Sequence, residues 1–126
     1  MASCISPVAI NKLSYTDEQA VRGRKIYLEH CVLCHGTNLM DAQFGAPLRG
    51  GYFKNRWEEK TAAELYTVTS VTMPPDKPNS LSVEEYADVL AFILKANEVQ
   101  PGSEKFPTNQ ERLLQIKISW ENKGEE

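Results

Sequence analysis

The residues most able to do chemistry lie in one short segment, Cys31-Val-Leu-Cys34-His35, which has the pattern C-x-x-C-H. This pattern is typical of covalent haem attachment. Two thiols one helical turn apart can form thioethers with the two vinyl groups on one porphyrin edge, and the imidazole that follows can donate a ring nitrogen to the iron. We therefore predict one haem c, attached through Cys31 and Cys34, with His35 as an iron ligand.

Two other chemistries use the same residues. A structural zinc site normally needs four Cys or His ligands, so Cys4 or His30 would have to complete the set. The chain has no second C-x-x-C. A thioredoxin-like redox pair expects a strand–helix–strand context, whereas this sequence has no alternating strand pattern of useful length. Haem attachment is the interpretation that the motif favours.

The second axial ligand has to come from elsewhere in the chain. An electron-transfer haem usually has one, and methionine opposite histidine raises the reduction potential. Met1 is terminal, and Met40 and His30 are too near the attachment segment to reach the opposite face easily. Met73 is farther along, in a polar segment where no apolar stripe includes it. A single methionine more often fills a core, but this context favours Met73 as a ligand.

Length and composition limit the kind of protein. The 126 residues suit a single domain, and 41% hydrophobic with 25% charged residues is typical of a folded globular chain. No apolar run approaches the roughly 20 residues that cross a bilayer. The net charge of −3 and the pI near 5.5 argue against a general nucleic-acid binder.

The start of the chain lacks the basic and apolar regions of a signal peptide. In the proteins that this motif resembles, covalent haem attachment takes place outside the cytoplasm. We therefore expect a periplasmic protein whose export signal has been removed. Cys4 is left over from the motif. Its role stays open between an added residue, a free thiol and a lipid anchor.

Capping boxes and apolar periodicity predict an all-α chain. Three main helices are expected, joined by long loops: Thr16 to about His30, Thr61 to about Ser70, and Ser82 to about Asn97. Long loops are unusual in a compact domain, and a large apolar cofactor would organise them. The loops include residues 36–55, which are rich in Gly, Asn and Pro.

The chain is predicted to divide into three parts. Residues 1–15 form an irregular lead-in, residues 16–97 form the main domain, and residues 98–126 form an extension that packs on or near it. A last short helix is predicted to begin at Thr108-Asn-Gln-Glu111. It would carry three apolar side chains, Leu113, Leu114 and Ile116, and the plainest interpretation of the extension is that these side chains cover the core.

Taken together, residues 16–97 resemble class I cytochromes c. Gly23 and Tyr27 precede the first motif cysteine by eight and four residues, as in the N-terminal helix of that family. Val89 and Phe92 match positions of the C-terminal helix that crosses it. The resemblance implies the cytochrome c fold around one haem, in which Gly23 lets these two helices pack closely.

The resemblance also implies contacts to the haem and its ligand. The loop 45–50 resembles one in which a proline carbonyl, here that of Pro47, accepts the ring N–H of His35. Such a bond would fix the tautomer and strengthen the histidine as a donor. Four residues occupy the region that approaches the haem propionates, with the first and last as first choices: Arg49, Tyr52, Arg56 and Trp57.

The function implied by the resemblance is one-electron transfer between protein partners rather than an enzymatic reaction. Residues 85–97 and 102–118 are similar to cytochrome subunits or domains that accompany PQQ-dependent dehydrogenases. Such an enzyme would be the electron donor, and an oxidase or another cytochrome the acceptor. The alternative is a haem enzyme or gas sensor, which would apply if Met73 does not bind iron and the sixth position is displaceable.

Overall fold

The computed structural model describes residues 13–31, 35–36, 38–40 and 46–120. Five α-helices lie in these ranges: α1 Asp17–His30, α2 Gly51–Trp57, α3 Ala62–Thr72, α4 Val83–Ala96 and α5 Gln110–Gln115. The only β-structure in the described ranges is an isolated bridge between Thr61 and Lys117. The predicted all-α class is confirmed. Cys4 and Cys34 lie outside the described residues.

Three helices begin where the sequence predicts. Thr16, Thr61 and Ser82 are the N-caps of α1, α3 and α4, and each forms a complete capping box with the Gln or Glu three residues later. Each box pairs two backbone N–H groups that a helix start leaves without an intrahelical acceptor. The predicted ends of these helices are correct to within two residues.

The prediction of a loop over residues 36–55 is wrong at its C-terminal end, where α2 begins at Gly51. The N-cap of α2 is Gly50, which has a φ of 85° and offers no capping side chain. The sequence therefore lacks a start signal. The helix instead buries Phe53 and Trp57, which are four residues apart and share one face. Tertiary packing decides its conformation.

The last helix also differs from its prediction. Its N-cap is Asn109, whose side chain accepts a hydrogen bond from the Arg112 N–H at 3.1 Å, so Thr108 lies one residue outside. Leu113 and Ile116 are buried as expected. Leu114 is wrong as a core residue, because 61% of it is exposed.

Helices α1 and α4 cross at Gly23. A Cβ placed on Gly23 would lie 1.8 Å from the carbonyl oxygen of Asp88 and 2.9 Å from the Cα of Val89. Beside the crossing, Arg22 donates two hydrogen bonds to the Asp88 carboxylate, at 3.0 and 3.2 Å. The Tyr27 and Phe92 rings meet with their centroids 5.3 Å apart. The expected close approach at Gly23 is confirmed.

The segment after α4 packs against the rest of the chain. The backbone of Ile118 accepts from Glu59 N at 2.9 Å and donates to Lys60 O at 2.8 Å, while Ile116 O accepts from Ala62 N at 2.8 Å. Phe106 exchanges two hydrogen bonds with the amide of Gln19. Phe106, Ile116 and Ile118 are buried in the core.

Within the described ranges, no helix has both the length and the apolar character that a membrane span requires.

Candidate haem site

An apolar cleft lies among α1, α2, α3 and α4 and holds about 1000 Å³ of empty space, part of which is open to solvent. Its apolar walls include Leu65, Val89, Leu90 and Ile93. Its polar and sulfur-bearing lining residues include Cys31, His35 and Met73. A large apolar group with a metal that accepts nitrogen and sulfur ligands therefore fits the residues of this cleft.

His35 is buried, and its ring has a defined partner. The Nδ1 atom lies 2.8 Å from the carbonyl oxygen of Ala46. A carbonyl oxygen can only accept, so Nδ1 carries the hydrogen and Nε2 keeps its lone pair for a metal. In the structure this partner is one residue earlier than the expected Pro47. Both residues line the cleft, but the direction of each carbonyl depends on the backbone path of the loop.

Cys31 ends α1 and lies at the wall of the cleft. It is the C-cap of the helix, and its backbone N–H donates to Tyr27 O at 2.9 Å. Its carbonyl accepts from the His35 N–H at 3.0 Å, so the cysteine and the histidine are one helical turn apart. The side chain is half-buried. Cys34, the second predicted attachment point, lies outside the described residues.

Met73 ends α3 and lines the same cleft as His35. Its N–H donates to Thr69 O at 2.9 Å, and its carbonyl accepts from the Tyr86 hydroxyl at 2.7 Å. Met40 is 48% exposed and borders a separate groove beside Arg49. Of these two methionines, the structure brings Met73 into one cleft with His35.

Three of the four residues expected near the propionates line the cleft, namely Tyr52, Arg56 and Trp57. The Arg56 guanidinium lies over the Trp57 ring, 4.3 Å from its centroid. Arg49, one of the two first choices, is not among the residues that line the cleft. Its Nη1 donates to Asn38 O at 3.3 Å in the groove beside Met40. The backbone turns at Gly50, so the Arg49 side chain points in a different direction from the side chains of α2.

Sequence reasoning missed two polar residues that support the cleft. Tyr86 belongs to the apolar stripe of α4, but its hydroxyl reaches Met73. Asn97 reads as a helix end, but it is buried and its side chain bonds the loop that contains Ala46 and Pro47. A polar group within or at the end of an apolar stripe is the signal that points to such residues, because buried polar groups need partners.

The all-α fold, the C-x-x-C-H motif and a cleft lined by His35 and Met73 together define the chain as a c-type cytochrome domain. The family model described as cytochrome c oxidase, cbb3-type, subunit III matches residues 18–93, and the chain belongs to this family. Membership implies a covalently bound haem c and supports haem-based electron transfer with redox partners. Searches of curated proteins and of solved structures find no match.

Proposed function

We propose that this protein is a periplasmic electron carrier with one haem c, attached through Cys31 and Cys34 and ligated by His35 and Met73. The observation that carries the proposal is the cleft itself. It brings Met73 together with a histidine whose Nδ1 donates to Ala46 O at 2.8 Å, so that Nε2 is left to bind iron. The haem supplies the one-electron couple of its iron.

The side chains of the cleft have separate tasks in this proposal. His35 provides a nitrogen whose donor strength increases through the bond to Ala46 O. Met73 provides a thioether, which favours the reduced iron and raises the reduction potential. The aliphatic walls would shield a bound haem from part of the solvent, and poorer solvation of charge at its iron would raise the potential further. Electrons enter and leave through protein partners, with no bond made or broken in the chain.

The proposed donor is a PQQ-dependent dehydrogenase, and the proposed acceptor is an oxidase or another cytochrome. The likeness of residues 85–97 and 102–118 to cytochromes that accompany such dehydrogenases supports the donor. The family itself is described by an oxidase subunit, which supports an oxidase as acceptor. The net charge of −3 indicates that docking does not depend on a strongly basic face.

Coordination is tested by the optical spectrum of the oxidised protein. We expect a methionine-to-iron charge-transfer band in the wild type, lost in Met73→Ala and kept in the control Met40→Ala, since Met40 borders another groove. Ferrous wild type should bind CO slowly, and ferrous Met73→Ala rapidly. Rapid CO binding by the wild type would exclude Met73 ligation and favour the gas-sensor or enzyme alternative.

Covalent attachment is tested by denaturing the protein and measuring how much haem per chain remains bound. One haem per chain should survive acid–acetone extraction, and Cys31→Ser or Cys34→Ser should weaken its retention. A colourless wild type with stoichiometric zinc would refute the haem proposal.

The donor is tested separately, by mixing the oxidised protein with PQQ dehydrogenases from the same source. If none of them reduces it, the donor proposal fails while the carrier proposal stands.

A further inference from the structure

Asn97 follows α4, is only 7% exposed, and has hydrogen-bond partners on both its amide nitrogen and its amide oxygen. Its Nδ2 donates to Leu48 O at 2.9 Å and to Ile93 O at 2.8 Å. Its Oδ1 accepts from Gly50 N at 3.1 Å. An N–H can only donate and a carbonyl can only accept, so the amide fits in one orientation.

The loop that Asn97 bonds is the one that contains the partner of His35. Leu48 lies two residues after Ala46, whose carbonyl accepts from His35 Nδ1. In the described part of this loop, residues 46–50, Ala46, Arg49 and Gly50 are exposed. Pro47 and Leu48 are only half-buried, with Leu48 packed against the core. The position of the loop therefore depends strongly on hydrogen bonds.

Among the described residues, this loop is held by hydrogen bonds from two other parts of the chain. On one side, the N–H of Leu48 donates to Leu39 O at 2.8 Å and Arg49 Nη1 donates to Asn38 O at 3.3 Å. On the other side, Asn97 forms one bond with Leu48 and one with Gly50. Asn97 thus fixes the loop at two points beyond Ala46 and links it to the C-terminal end of α4.

The C-terminal segment forms a hydrogen bond with the backbone of Asn97. The Trp120 Nε1–H donates to the backbone carbonyl of Asn97 at 2.8 Å. The Trp120 ring packs edge-on against Phe53 of α2, with centroids 6.3 Å apart. Phe53 therefore contacts Trp120, Trp120 bonds Asn97, and Asn97 bonds the loop beside His35.

We propose that Asn97 is a positioning residue for the iron ligand. It holds the Ala46 carbonyl at hydrogen-bond distance from His35 Nδ1 and so sets how strongly His35 donates to the iron. A firm bond gives the ring more imidazolate character, stabilises Fe(III) and lowers the reduction potential. Trp120 supports Asn97 in this task. The inference rests on the proposed function only in that His35 binds a haem iron.

The test compares Asn97→Ala, Asn97→Asp and Trp120→Phe with wild type in the haem-loaded protein. Two quantities are measured: the solvent exchange rate of the His35 Nδ1–H by NMR in the reduced state, and the reduction potential. Asn97→Ala should raise the exchange rate by about tenfold, as expected for the loss of about one hydrogen bond, and should shift the potential upward. Asn97→Asp keeps an acceptor for Gly50 N but loses both donors, so its shift should have the same sign. Trp120→Phe should give a smaller shift.

The control is Leu113→Ala, which removes a buried side chain of α5 without touching the loop. It separates general destabilisation from loosening of the loop, because it should lower the free energy of unfolding and leave both quantities at wild-type values. Unchanged exchange and potential in a folded Asn97→Ala protein would overturn the inference. Should that variant fail to fold, the same two readouts in Asn97→Asp and Trp120→Phe decide the matter.

Failure of this inference differs from failure of the proposed function. Loss of the Met73 assignment would show in the wild-type spectrum, while the His35 Nδ1–H would still report on the Ala46 bond. A wild type without haem would refute the proposed function. If the wild type binds haem and every Asn97 variant keeps the wild-type exchange rate of the His35 Nδ1–H, only the positioning role is refuted.

Discussion

The backbone of α1 at Gly23 lies so close to α4 that a Cβ there would sit 1.8 Å from the carbonyl oxygen of Asp88. The obstacle is backbone, which cannot rotate away as a flexible side chain can. This crossing positions both ends of the candidate site. Helix α1 leads into Cys31, and α4 contributes Val89, Leu90 and Ile93 to the cleft.

Gly23→Ala should therefore destabilise the protein. The added methyl group must push α1 and α4 apart, and overpacking of this kind costs about 1–3 kcal/mol or more. The measurement is denaturant unfolding followed by circular dichroism. Gly51→Ala is the matched control, since its added Cβ meets no atom within 4 Å other than those of its chain neighbours and the adjacent backbone of its own helix. Equal stability of the two variants would contradict the close crossing.

Tyr86→Phe should loosen the position of Met73, because it removes a hydrogen bond to the Met73 carbonyl. The Tyr86 hydroxyl donates to Met73 O at 2.7 Å, and its loss leaves that carbonyl with one partner fewer. With Met73 as the proposed iron ligand, we expect external imidazole to displace it about five- to tenfold more readily, as for the loss of about 1 kcal/mol. The binding is measured by titration of the oxidised protein.

The control for this prediction is Tyr66→Phe. Its hydroxyl donates to Val83 O at 3.3 Å, at the start of α4 and away from the Met73 carbonyl. It should leave imidazole binding near wild type. An equal effect of both variants would indicate general loosening rather than a specific contact.

Leu113 and Leu114 should respond very differently to truncation. Leu113 is fully buried, so Leu113→Ala should cost about 2–5 kcal/mol of unfolding free energy. Leu114 is 61% exposed, so Leu114→Ala should change stability by less than about 0.5 kcal/mol. The same denaturant experiment measures both. A larger loss at Leu114 would mean that α5 is rotated from the orientation described above.

Tyr15 should make stability fall at alkaline pH. Burial, with a smaller contribution from Asp17, raises the pKa of Tyr15 from 10.0 to about 12. The unfolded chain therefore loses this proton at lower pH than the folded one. The stabilisation is complete below pH 10 and is lost as the pH rises towards 12, by roughly 2–3 kcal/mol in all.

Tyr15→Phe provides the comparison. It removes the bond from the hydroxyl to Val99 O, so it should be less stable than wild type at neutral pH. Its stability should fall less steeply above pH 10, and the two unfolding free energies should converge. Some slope should persist, because burial also raises the pKa of Tyr66. Parallel pH profiles would show that Tyr15 does not titrate differently in the two states.

The sequence by itself determined the features that depend on neighbouring residues. Capping boxes at Thr16, Thr61 and Ser82 set the starts of three helices, because each is completed within four residues. The C-x-x-C-H motif has the same local character. The close crossing at Gly23 was implied by the resemblance to class I cytochromes c, in which a glycine stands eight residues before the first motif cysteine.

Only the tertiary structure decided which groups meet across the chain. It placed Ala46 rather than Pro47 at His35, turned Arg49 away from the cleft, and made a helix of Gly51–Trp57 without a capping signal. It also brought Asn97 to the loop beside His35, 47 and 49 residues away from its partners Gly50 and Leu48. Carbonyl direction, side-chain direction and long-range pairing follow from packing in three dimensions, and no local sequence pattern encodes them.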